Sequence, residues 1–328
     1  MPRPSPLRAW WARRSPTTGA AVMATGILAV GLRLAGYEVL SWIALGAASA
    51  AWLVLAVRFA VGLLWERERW MAEAATPGAL TAVAATAALG TGFSALGQQT
   101  VAAALLALSV VLWPGLLLAG VPRWRRRMPG TVFLGCVATQ GLAVLAAALA
   151  GAKATDWLAH AALVLFWLGL ALYCAALFCF DFRQVTEGSG DQWIAGGALS
   201  ISALAGSRLL AADSARLYLW NSDDSGVLRT VTVGLLVLDL CWYAVLVAAE
   251  CVRRRPHYDE RRWAAVFPMG MTAAAMLSVA DAFDVSWLKV PGQALLWIAV
   301  AVWLAVAWGA VRTASAAVRA EVTSTAPR

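Results

Sequence analysis

Charge is scarce in this chain, and that scarcity sets the first limits. Only 13% of its 328 residues are Asp, Glu, Lys or Arg, against about 25% in an ordinary soluble protein. Histidine is nearly absent. His160 lies near the end of an apolar run and His257 in a polar segment, so neither suits a serine–histidine pair inside a span. The five cysteines (Cys136, Cys174, Cys179, Cys241, Cys251) sit in or beside apolar runs without a C-x-x-C spacing, which reads as buried membrane cysteine. No Cys/His cluster offers a metal site. One acidic loop, "NSDDSG" (221–226), has no second facing motif, as prenyl transfer would require. The residues therefore point to no metal, no cofactor and no enzyme.

Long apolar runs are what is present. Hydrophobic residues make up 61% of the chain, in stretches of the roughly 20 residues that span a bilayer. Ten spans are expected near 16–35, 39–64, 77–98, 100–121, 130–151, 157–180, 191–212, 227–250, 262–281 and 287–310. The spans form one transmembrane domain over 16–312, between tails at 1–15 and 313–328. The first residues, "MPRPSPLRAWWARRSP", are basic and proline-rich and read as a cytoplasmic tail rather than a signal peptide.

Basic residues fix the orientation. One side collects 19: Arg3, Arg8, Arg13, Arg14, Arg67, Arg69, Arg123, Arg125, Arg126, Arg127, Arg183, Arg253, Arg254, Arg255, Arg261, Arg262, Arg312, Arg319 and Arg328. The other side has six, Arg33, Lys153, Arg208, Arg216, Arg229 and Lys289, with Arg58 inside the second span. The positive-inside rule then places both termini in the cytoplasm of a cell-membrane protein. It also accounts for the net charge of +8 without a nucleic-acid partner. Trp65, Trp70, Trp124, Trp157, Trp193, Trp220, Trp263 and Trp287 fall near span ends, where amphipathic rings meet the headgroups.

Composition alternates along the chain. Gly, Ala, Ser and Thr account for 59 of 106 residues in the odd spans and 41 of 120 in the even ones. The odd spans follow comparable signals, "RRSPTTG", "EAATPG", "RRRMPG", "GSGDQW" and "DERRW". The pattern predicts an all-α membrane protein of five helical hairpins. Small residues permit close contact or border a cavity, while bulky ones face lipid. Odd helices are thus expected inside and even helices outside. Composition supports equally a quasi-fivefold central pore and plain dense packing.

Three stretches carry a family resemblance: "GAAVMATGILAVGL" (19–32), "DQWIAGGALSISALAGSRLL" (191–210) and "RRWAAVFPMGMTAAAM" (261–276). In these, and in its ten-span hairpin order, the chain resembles the tellurite-resistance/C4-dicarboxylate transporter family, which includes the slow-type anion channels. The resemblance implies inner helices around a central anion pathway, a homotrimer, and small anions such as malate or inorganic ions as partners beside the lipid bilayer. Inner helices of that family are often kinked by mid-span proline. Here only Pro268 lies clearly inside an odd span. Pro16, Pro77 and Pro129 stand at starts, and Pro114 is in an even span.

The resemblance makes Phe267 the candidate pore gate; the residues alone allow a packed core aromatic equally well. Pro268 lacks an N–H for the carbonyl of Ala264 and crowds that turn, so it is the candidate kink. Thr25, Thr86, Thr91, Thr139, Gln140, Ser200, Ser202 and Thr272 are the candidate polar lining. Neutral donors solvate a passing anion without trapping it. Taken singly, each also suits a back-bonded or interhelical hydroxyl. Asp239, the acid nearest a span centre, has either a structural hydrogen bond or a proton-coupling role. A membrane enzyme, or a receptor or scaffold without transport, is the rival reading, and channel and carrier both stay open.

Overall fold

The computed structural model describes residues 18–65, 67–188, 190–213, 222–252 and 262–325. The expected tail 1–15, Pro16, Arg216, Trp220, Arg253 to Arg255, His257, Arg261 and Arg328 lie outside those residues.

Twelve α-helices and no named strand occur among the described residues. The apolar ones are α1 (Thr18–Leu34), α2 (Glu38–Trp65), α3 (Thr81–Ala95), α4 (Gln99–Gly120) and α5 (Leu134–Lys153). They continue with α6 (Asp156–Cys179), α7 (Trp193–Ala212), α8 (Ser222–Val252), α9 (Trp263–Ala282) and α10 (Lys289–Thr325). Among the described residues, nine helices are long and apolar enough to cross a membrane, and α1 is a shorter apolar helix. Two short helices complete the set. Arg67–Ala74 occupies the expected loop between α2 and α3, and Gln184–Glu187 precedes α7. α10 runs on as helix through most of the segment expected as a C-terminal tail.

Local sequence explains where the helices begin and end. Proline restricts the residue before it to extended backbone, and Thr76 ahead of Pro77 is extended. The chain then enters α3 through a 3-10 turn, Pro77–Leu80. α5 follows a similar turn, Gly130–Phe133, after the extended Pro129. Gly36 (φ 87°) and Gly97 (φ 82°) end α1 and α3 in the left-handed region that glycine enters at no steric cost.

The odd helices pack in a closed circuit. α1 contacts α3, α3 contacts α5, α5 contacts α7, α7 contacts α9, and α9 returns to α1. Each even helix packs on the odd helix before it and also touches the odd helix after it, with α10 reaching α1. Burial divides the same way. In α3, α5, α7 and α9, 72–94% of the span is buried, against 17–28% in the even helices. The physical reason is volume: alanine and glycine let inner backbones approach closely, while residues such as Val111 and Phe178 point outward. At Gly130 the approach leaves no room at all, since a Cβ there would sit 1.9 Å from the carbonyl oxygen of Asp191.

Candidate functional site: an apolar constriction between five helices

A small cavity lies where the odd helices face one another. α1 lends it Met23 and Ile27, α3 lends Ala84, Ala88 and Thr91, and α5 lends Val137, Gly141 and Val144. α7 contributes Ile201 and Leu204, and α9 contributes Phe267 and Met271. Its volume is about 10 Å³, room for the centre of about one water. Thr91 is the one hydroxyl residue in this lining, and its Oγ1 donates to the carbonyl of Ala87. A void this small and this apolar has no room for a hydrated ion.

Phe267 is the largest side chain in the lining and is 1% exposed. Its ring rests on Gly197 of α7. A Cβ at that glycine would come within 2.8 Å of Phe267 Cε1 and 3.0 Å of Pro268 Cγ. Both Phe267 and Pro268 are buried inside α9. The Phe-Pro pair thus meets α7 at a position where only glycine leaves space.

The other polar residues look between helices, each in a definite direction. Thr25 Oγ1 donates to the carbonyl of Ala21 and accepts the Nε1–H of Trp303 on α10 at 2.9 Å. Thr86 does the same with Ala82 and with Trp52 on α2, also at 2.9 Å. Thr139 repeats it with Gly135 and with Trp113 on α4, again at 2.9 Å. So an even-helix tryptophan clamps the next odd helix in three of the five seams. Gln140 Nε2 donates to the carbonyl of Phe166 on α6, and its Oε1 has no partner. Ser200 bonds back to Gly196 and Gly197. Ser202 bonds back to Ala198 and neighbours Cys136 Sγ.

Asp239 stands on α8, away from the cavity and fully buried. Thr272 of α9 faces its carboxyl, yet neither Oδ1, Oδ2 nor Thr272 Oγ1 completes a hydrogen bond in this geometry. At the helix ends, Asp281 pairs with Lys289 at 2.8 Å, and Arg33 pairs with Glu38.

Sequence reasoning missed Gly197 and most of the apolar lining. The available signal was register. Met23/Ile27, Ala84/Ala88, Val137/Gly141 and Phe267/Met271 each recur at i, i+4 on one helix face. It also passed over the mid-span tryptophans. Trp193, expected at the headgroups, is buried and packs its ring edge-on to Tyr243 at 5.7 Å.

Apolar helices of membrane-crossing length, bundled with their small-residue members innermost, define a polytopic helical membrane protein. A family model described as voltage-dependent anion channel (SLAC1) matches residues 14–311, and the chain belongs to that family. It is a family of channels and transporters rather than enzymes. No curated protein matches the chain.

Proposed function

We propose that the protein conducts small anions across the cell membrane, through a pathway on the axis of its five odd helices, with Phe267 as the gate. The single observation that carries this reading is the Phe267 ring, seated on Gly197 and closing a void that all five odd helices line. In this reading α1 to α10 are ten spans in five hairpins, quasi-fivefold about that void. The contact circuit and the burial division support it. Thr91 supplies a neutral polar group on the path. The remaining hydroxyls hold the wall, and line the path only in a widened state. The kink at Pro268 aims the ring.

The positive-inside asymmetry supports a cytoplasmic side for both termini. The exposed apolar faces of the even helices suit lipid and the interface of a homotrimer. The anions are C4-dicarboxylates such as malate, or inorganic ions, with a link to tellurite resistance.

Ion-replacement flux in proteoliposomes tests the reading, comparing chloride, nitrate, malate and tellurite on the full chain. Flux of at least one of these, increased when Phe267 is truncated, is the expected result. Folded protein with no anion flux under any voltage or pH gradient overturns it and leaves the receptor or scaffold reading. Flux that follows voltage alone marks a channel, and uptake driven by a pH gradient marks a carrier.

A further inference from the structure

The even helices share a pattern that one of them breaks. Each carries a buried residue, then an aromatic four positions on, then an aliphatic three beyond that. In α2, α4, α6 and α10 the buried residue is small: Ala48, Ser109, Gly169 and Ala299. In α8 it is Asp239. The aromatics are Trp52, Trp113, Tyr173, Tyr243 and Trp303. The three tryptophans clamp α3, α5 and α1. Among the described residues, neither tyrosine makes such a bond, so α7 and α9 lack the clamp. These are the two helices whose contact, Gly197 against Phe267 and Pro268, closes the cavity.

At the α8/α9 seam four buried polar atoms have no partner: Asp239 Oδ1 and Oδ2, Thr272 Oγ1 and Trp242 Nε1. They border one space. A Cβ on Gly196 of α7 would lie 3.0 Å from Trp242 Cδ1 and 3.8 Å from Asp239 Oδ1, and Thr272 faces the same carboxyl. Unpaired groups in a dry interior each cost about 1–3 kcal/mol, more when charged. Among the described residues, no basic group offers charge neutralisation. The titratable side chains that sense the carboxyl are Tyr173 from α6 and Tyr243 on α8 itself. α7 and α9 present Gly196 and Thr272.

We propose that Asp239 is a proton-binding site behind the gate, and that its proton ties α8 to α9 in the closed state. Thr272 O–H and Trp242 Nε1–H match the two carboxyl oxygens donor for acceptor but bring no positive charge, so in this dry seam a proton neutralises the carboxyl. A protonated carboxyl donates to Thr272 Oγ1, and its other oxygen accepts from Trp242 Nε1–H after a small side-chain adjustment. Loss of the proton leaves a bare carboxylate one residue behind the Gly197 seat, in a seam with no tryptophan clamp. The closed state then binds the proton more tightly than the open one. By linkage, low pH favours closure and rising pH favours opening. Asp239 lies off the path, so the proton regulates the wall and does not travel with the anion. The regulation rests on the reading of Phe267 as the gate; the proton site does not.

The full chain in liposomes supplies both readouts. Infrared spectra should show the carbonyl stretch of a buried protonated carboxyl at neutral pH, absent in Asp239→Asn and shifted in Trp242→Phe. Chloride efflux should rise about tenfold as pH is raised in the wild type. It should stay low and flat in Asp239→Asn, whose amide donates and accepts as the protonated acid does. No such band at neutral pH, or one that survives Asp239→Asn and so belongs to another carboxyl, overturns the proton site. A pH response retained in Asp239→Asn overturns its control of the gate. If Phe267→Ala conducts no better than wild type, the gate reading fails instead, whatever the band does.

Discussion

Truncating Phe267, the proposed gate, gives the sharpest test, because its consequences are set by one contact. Phe267→Ala removes six ring carbons from a void of about 10 Å³. It frees on the order of 100 Å³, room for about three waters at ~30 Å³ each. A void with room for about one water centre then has room for several, enough for an ion to cross with part of its shell. Lowering the barrier by only about 1.4 kcal/mol raises flux tenfold, so an increase of about tenfold or more in chloride efflux is expected. The cost in stability is that of a buried Phe→Ala, about 3–5 kcal/mol, which a thermal-shift measurement in detergent will register.

Gly197→Ala tests the same contact from the other helix. Its Cβ would stand 2.8 Å from Phe267 Cε1, an overpacking worth about 1–3 kcal/mol. The ring has only the cavity to move into, so flux should fall. In the double variant the ring is gone, and only the 3.0 Å approach to Pro268 Cγ remains. The flux effect of Gly197→Ala should then largely vanish, which is the non-additivity expected of touching residues. Additive effects in protein that still folds would refute the seat. Unchanged flux in Phe267→Ala, with folding intact, would refute the gate.

Other outcomes follow from the same geometry. Thr139→Val removes the acceptor of Trp113 Nε1–H and should lower thermal stability by about 1 kcal/mol, the size of an interhelical hydrogen bond in a membrane, with anion selectivity unchanged. Gly130→Ala places a Cβ on the Asp191 carbonyl and should abolish the folded, monodisperse peak in size-exclusion chromatography. Pro268→Ala restores an N–H donor for the Ala264 carbonyl and removes the ring that crowds that turn. Flux should change in that variant while stability holds or rises, since removing a mid-helix proline relieves about 3 kcal/mol of helix cost.

Part of the site was legible in the sequence and part was not. Phe267 stood out through the family resemblance, and Pro268 because a proline inside an apolar helix leaves a carbonyl without its donor. Thr91 was named with seven other polar residues, and nothing in one dimension marks it as the one that lines the cavity. Thr25, Thr86 and Thr139 share its chemistry but face tryptophans on neighbouring helices. Periodicity assigns residues to faces of a helix. It does not say whether a face meets the axis or the next seam, because every face of a fully buried helix is apolar or small. Gly197 was invisible for a related reason: its role is the absence of a side chain at one point of contact between α7 and α9.

Composition alone settles that the chain belongs in a bilayer and which helices are small enough to pack inside. Those properties follow from composition, summed over some 20 residues at a time, and such sums need no partner to be read. Tertiary structure decided which odd helices meet and which seams are clamped by tryptophan. It also decided that Asp239 is buried against Gly196 of α7, away from the cavity. These are pairwise facts between residues far apart in the chain, fixed by how helices rotate about their own axes as they pack. That rotation is set by volume and hydrogen bonding at the contacts, which come into being only when the helices are together.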